Sequence, residues 1–190
     1  MTMRLLMMVC VWVAGAAIAL GAVTQTYTPK PGETVLRLEV EARGNIFIKL
    51  HTKEAPKTTA HVLRLVRQGF YNGQRFFRVS KTPRPYLVAF GDPDSRDLNK
   101  LESQSIGQRG SGTRVAYEDS GFKHEAGAVG LSTLPNDRDS GDSQFYMLLA
   151  PSRFLDGNYT VFGQVVAGMD VLNKVEKGDQ VVRVTVLEGR

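Results

Sequence analysis

The sequence predicts a mainly β domain: a closed or nearly closed antiparallel barrel capped by two helices. Three observations carry that expectation. The chain has 190 residues, enough for one domain and cramped for two. About eight short apolar runs follow one another along it, and only two stretches show a helical stripe. Hydrophobic residues make up 42% and charged residues 23%, the balance of a globular protein rather than a disordered one.

Each element has a local reason. Residues 34–41 alternate apolar and polar, the period of a half-buried strand, and Arg43-Gly44-Asn45 turns the chain into a second strand over Ile46 to Leu50. Pro56 sits where a helix tolerates it, at the start, and Ala60, Val62, Leu63, Leu65 and Val66 form its stripe through residue 68. Gly69 ends the helix, and Tyr71-Asn72-Gly73 is a turn. Phe76 to Val79 and Tyr86 to Phe90 read as short strands. No period is visible from Gly91 to Lys123, so that stretch is expected to be loop. Ala128 to Ser132, Gln144 to Ala150 and Thr160 to Val166 are β-rich runs. Met169, Val171, Leu172 and Val175 place a second helix over 168–177, and Val181 to Leu187 is the last strand.

The first 23 residues differ from the rest. Arg4 is followed by 19 uncharged residues, Leu5 to Val23, that end in small side chains. This is the pattern of a secretory signal peptide, with cleavage points after Ala17-Ile18-Ala19 or Leu20-Gly21-Ala22. The run is also long enough to stay uncleaved as a membrane anchor. Either way the chain is expected to be exported, to the periplasm or another extracytoplasmic space. Cys10 lies inside this leader, so the remainder holds no cysteine, which suits an oxidising compartment. Residues 24–33 are polar with two prolines and read as an extended tether. The domain proper is expected over 34–190.

Several function classes are disfavoured. His51, His61 and His124 match no zinc-ligand spacing, and the single cysteine makes no CxxC pair, so no metal site is expected. The net charge is +5, but no run of Lys/Arg reaches four and none is interleaved with aromatics, so no nucleic-acid partner is expected. Ser143 lacks the strand–turn–helix setting of a nucleophile elbow. The acidic groups around Asp92 and Asp142 lack calcium-loop order, and Gly107 to Arg114 lacks the lysine of a P-loop. That glycine-rich run reads as a mobile surface loop.

What remains is a series of motifs in order: residues 55–59, Phe70-Tyr71-Asn72-Gly73, Phe76-Phe77-Arg78-Val79, Gly91-Asp92-Pro93, Gly130-Leu131-Ser132, Ser143-Gln144-Phe145-Tyr146, Phe154-Leu155-Asp156-Gly157 and Val161-Phe162-Gly163. In order and spacing the series resembles a cyclophilin-type peptidyl-prolyl cis-trans isomerase over nearly the whole of residues 34–187. The resemblance implies an eight-stranded antiparallel barrel with two helices, in agreement with the strand count. It also implies an enzyme for X-Pro bonds that assists the folding of proline-containing polypeptides. Rotation about such a bond is slow because it breaks amide resonance, at about 18–20 kcal/mol. No nucleophile, metal or cofactor is needed. An apolar cup must hold the proline while a donor stabilises the prolyl nitrogen as the amide twists.

By resemblance, Arg78 is that donor. Phe77, Tyr86, Leu87, Ala89, Leu134, Pro135, Asn136, Gln144, Tyr146, Phe154, Leu155 and Tyr159 align with the substrate-binding positions. Several depart from the family pattern. Phe77 stands for a histidine and Ala89 for a glutamine that helps hold the arginine. Phe90 replaces a glycine beside Ala89 and is expected to crowd that space. Pro135 falls where an asparagine contacts the peptide. Tyr146 replaces phenylalanine, Phe154 a tryptophan or other aromatic, and Tyr159 a histidine. Arg78 survives with thinner support, which points to weakened activity. Two classes therefore stay open: an isomerase, favoured by Arg78 and the apolar residues, and a proline-segment binding module with little turnover, favoured by Ala89, Phe90 and Pro135.

Overall fold

A computed structural model describes residues 25–190, and the leader expected over 1–23 lies outside them. Eight strands form one antiparallel sheet: β1 (Thr34–Val40), β2 (Gly44–Leu50), β3 (Arg78–Ser80), β4 (Leu87–Phe90), β5 (Ala128–Leu131), β6 (Phe145–Leu148), β7 (Val161–Ala167) and β8 (Val181–Glu188). Their order is β3-β4-β6-β5-β7-β2-β1-β8. The two end strands are drawn together by a bridge between Arg75 and Gln180 and by backbone bonds from Phe76 N to Asp179 O (3.0 Å) and from Val181 N to Gln74 O (2.8 Å). The sheet is thus curled into a nearly closed barrel, as the sequence predicts.

Side-chain alternation fills the interior. Leu36, Leu38, Ile46, Ile48, Val88, Phe90, Val129, Phe145, Met147 and Phe162 all point inward and join one core. Helix α1 (Pro56–Arg67) adds Val62, Leu65 and Val66 to that core. Its N-cap residue, Ala55, has no side-chain acceptor. The Glu118 carboxylate does the work instead, accepting from Lys57 N (2.9 Å) and Thr58 N (2.8 Å). Helix α2 is shorter than its stripe suggested, Met169–Lys174, because Val175 turns to extended backbone (ψ 136°) and drops its side chain into the core. The Lys81 ammonium closes its end, donating to the carbonyls of Asn173 (2.7 Å) and Val175 (2.6 Å).

Two stretches without a period prove well tied. Residues 25–33 run as an extended strap against the barrel: Gln25 donates to the Asp170 carboxylate at 3.0 Å, Tyr27 lies 6.0 Å from the Phe47 ring, and Gly189 N donates to Glu33 O at 2.9 Å. The glycine-rich run expected as a mobile loop is pinned by two carboxylates. Asp92, fully buried, accepts from Gly107 N (2.6 Å) and Arg109 N (3.2 Å), while Asp142 accepts from Ser111 Oγ (2.5 Å) and Gly112 N (2.9 Å). Asp92 and Asp142, which lack calcium-loop order, instead accept backbone hydrogen bonds.

Candidate active site

The strands β4, β5, β6 and β7 carry apolar residues on both faces, so the outer face also needs a cover. Leu87, Ala89, Ala128, Tyr146, Leu148 and Val161 form a second apolar cluster there, separate from the barrel core. Phe77, Leu101, Leu155, Ile106, Tyr86 and Tyr159 close around it from the loops. The result is an apolar cup on the outside of the sheet, with its floor on strands and its walls on loops.

Register places the cationic group at the rim. Arg78 lies opposite Ala89, Ala89 opposite Tyr146, and Tyr146 opposite Gly130. Residues directly opposite share a face, so Arg78 stands over the same face as the cup. Arg78 is exposed, and among the described residues it has neither a side-chain hydrogen bond nor an ion pair. Its charge reaches Tyr86: burial raises the Tyr86 phenol above its ordinary value and the Arg78 guanidinium opposes that rise. A guanidinium beside an apolar cup, with its donors uncommitted, is suited to a group that acquires lone-pair character only during reaction.

The floor depends on one absent side chain. Tyr146 is 5% exposed, and its ring lies across Gly130. A Cβ on Gly130 would stand 2.3 Å from the Tyr146 Cζ and hydroxyl oxygen, so only glycine leaves the ring its place. The hydroxyl meets His124 Nε2 at 2.9 Å, and His124 Nδ1 meets Asp156 at 2.8 Å. Burial is the largest cause raising the Tyr146 phenol. Asp156 is held below its usual range because hydrogen bonds from His124 outweigh the upward pull of burial. The Tyr159 ring meets the floor edge-on, 5.9 Å from Tyr146.

The remaining expected residues divide. Phe77, Tyr86, Leu87, Ala89, Tyr146, Leu155 and Tyr159 come together in the cup. Phe154 is 71% exposed beside it, with its ring 5.8 Å from Tyr86. Leu134 and Gln144 line an adjoining cleft of about 410 Å³ walled by Gly107 to Gly110, where Gln144 donates to Arg109 O at 2.7 Å. Thr133 also lines that cleft, whereas Pro135 and Asn136 stand outside it in a turn closed by the Leu134–Asp137 bridge. Phe90 does not crowd Ala89. The next residue on a strand points the other way, and Phe90 packs inside the barrel against Tyr71, Phe76 and Phe145. His124, Asp156 and Gly130 were given no site role from the sequence, although Gly130 and Asp156 lie in the quoted motifs. The available signal was the hydroxyl of Tyr146, because a buried phenol needs a partner.

Comparison with known proteins agrees with this geometry. The family model for cyclophilin type peptidyl-prolyl cis-trans isomerase/CLD matches residues 35–188. A probable peptidyl-prolyl cis-trans isomerase of Brucella suis biovar 1 is 33% identical over 169 residues, covering 88% of this chain and 83% of the relative. A peptidyl-prolyl cis-trans isomerase of Helicobacter pylori is 33% identical over 144 residues, covering 72% of this chain and 77% of its own length. A crystal structure of a cyclophilin type isomerase from Cryptosporidium parvum superposes with a TM-score of 0.68 at 18% identity, over 83% of this chain and 99% of that one. At that identity the last shows likeness of fold.

Proposed function

The chain belongs to the cyclophilin-type peptidyl-prolyl cis-trans isomerase family and is an isomerase of X-Pro bonds, and from that premise we propose how its site works. The proline ring enters the cup over Tyr146, between Leu87, Ala89 and Leu155. Binding there desolvates the ring and holds the bond to be rotated beside Arg78. As the amide leaves planarity its nitrogen lone pair localises, and an Arg78 N–H donates to it. That bond exists in the twisted state and not in the planar one, so it lowers the barrier rather than merely tightening binding. The observation that carries this reading is the register: Arg78 opposite Ala89, opposite Tyr146.

The clients are proline-containing segments of other polypeptides. Turnover is reduced relative to a site in which a neighbouring amide holds the arginine, because Ala89 offers Arg78 no hydrogen bond. This motivates the second reading, a module that binds proline segments and barely turns them over. A proline-peptide isomerisation assay run beside a peptide titration separates the two: acceleration supports the isomerase, and binding without acceleration supports the module. Ala89→Gln tests the cause. Position 89 lies on the cup face opposite Arg78 and Phe90 points away from it, so one added hydrogen bond to the guanidinium is expected to raise kcat by about two- to tenfold. An unchanged or lower kcat in a folded variant would mean that Arg78 does not lack support.

The compartment is extracytoplasmic on this reading. It is supported by Arg4, the uncharged stretch Leu5 to Val23 and a cysteine-free remainder. Gln25, the first described residue, is bonded to the barrel through Asp170. N-terminal sequencing of the protein from its host is expected to begin at Leu20 or Val23. An intact Met1 in the membrane fraction would identify an anchor, and an intact Met1 in the soluble cytoplasm would refute export.

A further inference from the structure

We propose that His124 is a positioning residue for the isomerase site, one that locks the floor of the proline cup to its wall; this rests on the isomerase reading above. All four of its polar groups are committed. Its backbone N donates to the Asp156 carboxylate (2.9 Å), its ring Nδ1 meets the same carboxylate (2.8 Å), its carbonyl accepts from Ser152 N (2.7 Å), and its Nε2 meets the Tyr146 hydroxyl (2.9 Å). It is 1% exposed. Three of these bonds run to the turn of residues 152–156, which carries Phe154 and Leu155 at the wall. The fourth runs to Tyr146, the floor. No other described side chain hydrogen-bonds to both parts of the cup.

The protons follow from the chemistry. An ionised carboxylate only accepts, so Nδ1 carries a proton, and in the neutral ring Nε2 is then the nitrogen that accepts from the Tyr146 O–H. The chain runs Tyr146 O–H to His124 to Asp156, with every buried polar atom satisfied and none directed into the cup. The tyrosine in place of the family's phenylalanine is thereby explained. Its hydroxyl is a tether for the ring and does not contact substrate. A ring that only slides over Gly130 is held by sterics, whereas one hydrogen-bonded at its far end is also fixed in tilt.

The floor touches the proline ring in the planar and the twisted states alike. Its displacement should therefore weaken binding in both and raise KM while leaving kcat near its wild-type value. That signature differs from the loss expected at Arg78. In the full-length protein, His124→Leu is expected to lower kcat/KM about tenfold, carried by KM. Tyr146→Phe, the gentler variant, is expected to lower it severalfold. The double variant should be no worse than His124→Leu alone, because both remove the same bond. In NMR spectra the Tyr146 ring contacts to Gly130 should shift in His124→Leu. A folded His124→Leu with unchanged KM, additive losses in the double variant, or an undisturbed Tyr146 ring would each overturn the proposal. Absence of turnover in the wild type would instead count against the isomerase reading, while the ring contacts would still report on the clamp.

Discussion

Arg78→Ala is expected to lower kcat for X-Pro isomerisation by about 10²–10³, with the fold intact. The size follows from what a single well-placed donor to a developing charge contributes, about 3–4 kcal/mol, at about 1.4 kcal/mol per tenfold. The uncommitted state of Arg78 argues for the lower part of that range, since a side chain held by nothing must lose freedom to reach the transition state. The fold should tolerate the change, because Arg78 is exposed and, among the described residues, bonded to no side chain or carbonyl. Exposed substitutions of this kind move stability by roughly ±0.5 kcal/mol. KM should change little, because the cup is untouched. Arg78→Lys should recover only part of the rate, since a point ammonium lacks the planar fork of donors. The measurement is kcat and KM on a proline peptide with a thermal melt for each variant. A folded Arg78→Ala enzyme with wild-type kcat would remove Arg78 from the mechanism.

The barrel was legible because its strands obey local rules. β1 alternates visibly, with Leu36, Leu38 and Val40 in the core and Arg37 and Glu39 turned away. Pro56 and the following apolar stripe mark α1 without help from tertiary structure. The site was legible in part. Leu87 to Phe90 and Phe145 to Leu148 are buried along their whole length. A continuous apolar run announces a strand covered on both faces but not what covers the second. Part of the cover comes from Leu101 and Ile106, which lie in a stretch with no period at all.

Pairing is non-local, so the neighbours of Arg78 could not be read from spacing. They are fixed only once β4 pairs with β6 across the intervening loops. The same limit hid the loop anchors. The glycine-rich run looked mobile because the groups that hold it, Asp92 and Asp142, are far from it in sequence. Composition can mark a segment as short of core residues; it cannot reveal a distant carboxylate accepting its amides. His124 was missed for a related reason. A single histidine matches no ligand pattern, and its role follows from a tyrosine on another strand and an aspartate on another loop.

Gly130→Ala is expected to lower kcat/KM by about 10², the cost of misplacing a site by about 1 Å. The added methyl would begin 2.3 Å from Tyr146 Cζ and its hydroxyl oxygen and 2.7 Å from Cε2, well inside contact distance. The strand cannot yield easily, since Gly130 pairs with Tyr146 on one side and Val161 on the other. Nor can the hydroxyl end, which His124 holds. The ring must therefore rise into the cup, into the space the proline needs. Overpacking should cost stability as well, about 1–3 kcal/mol, so a melt belongs beside the kinetics. Gly130→Ala combined with Tyr146→Phe should recover part of the loss, because the closest oxygen is gone and the ring is no longer tethered at its far end. Arg78 is unaffected by either change. A Gly130→Ala protein with kcat/KM within twofold of wild type would show that Tyr146 is not the floor on which the proline rests.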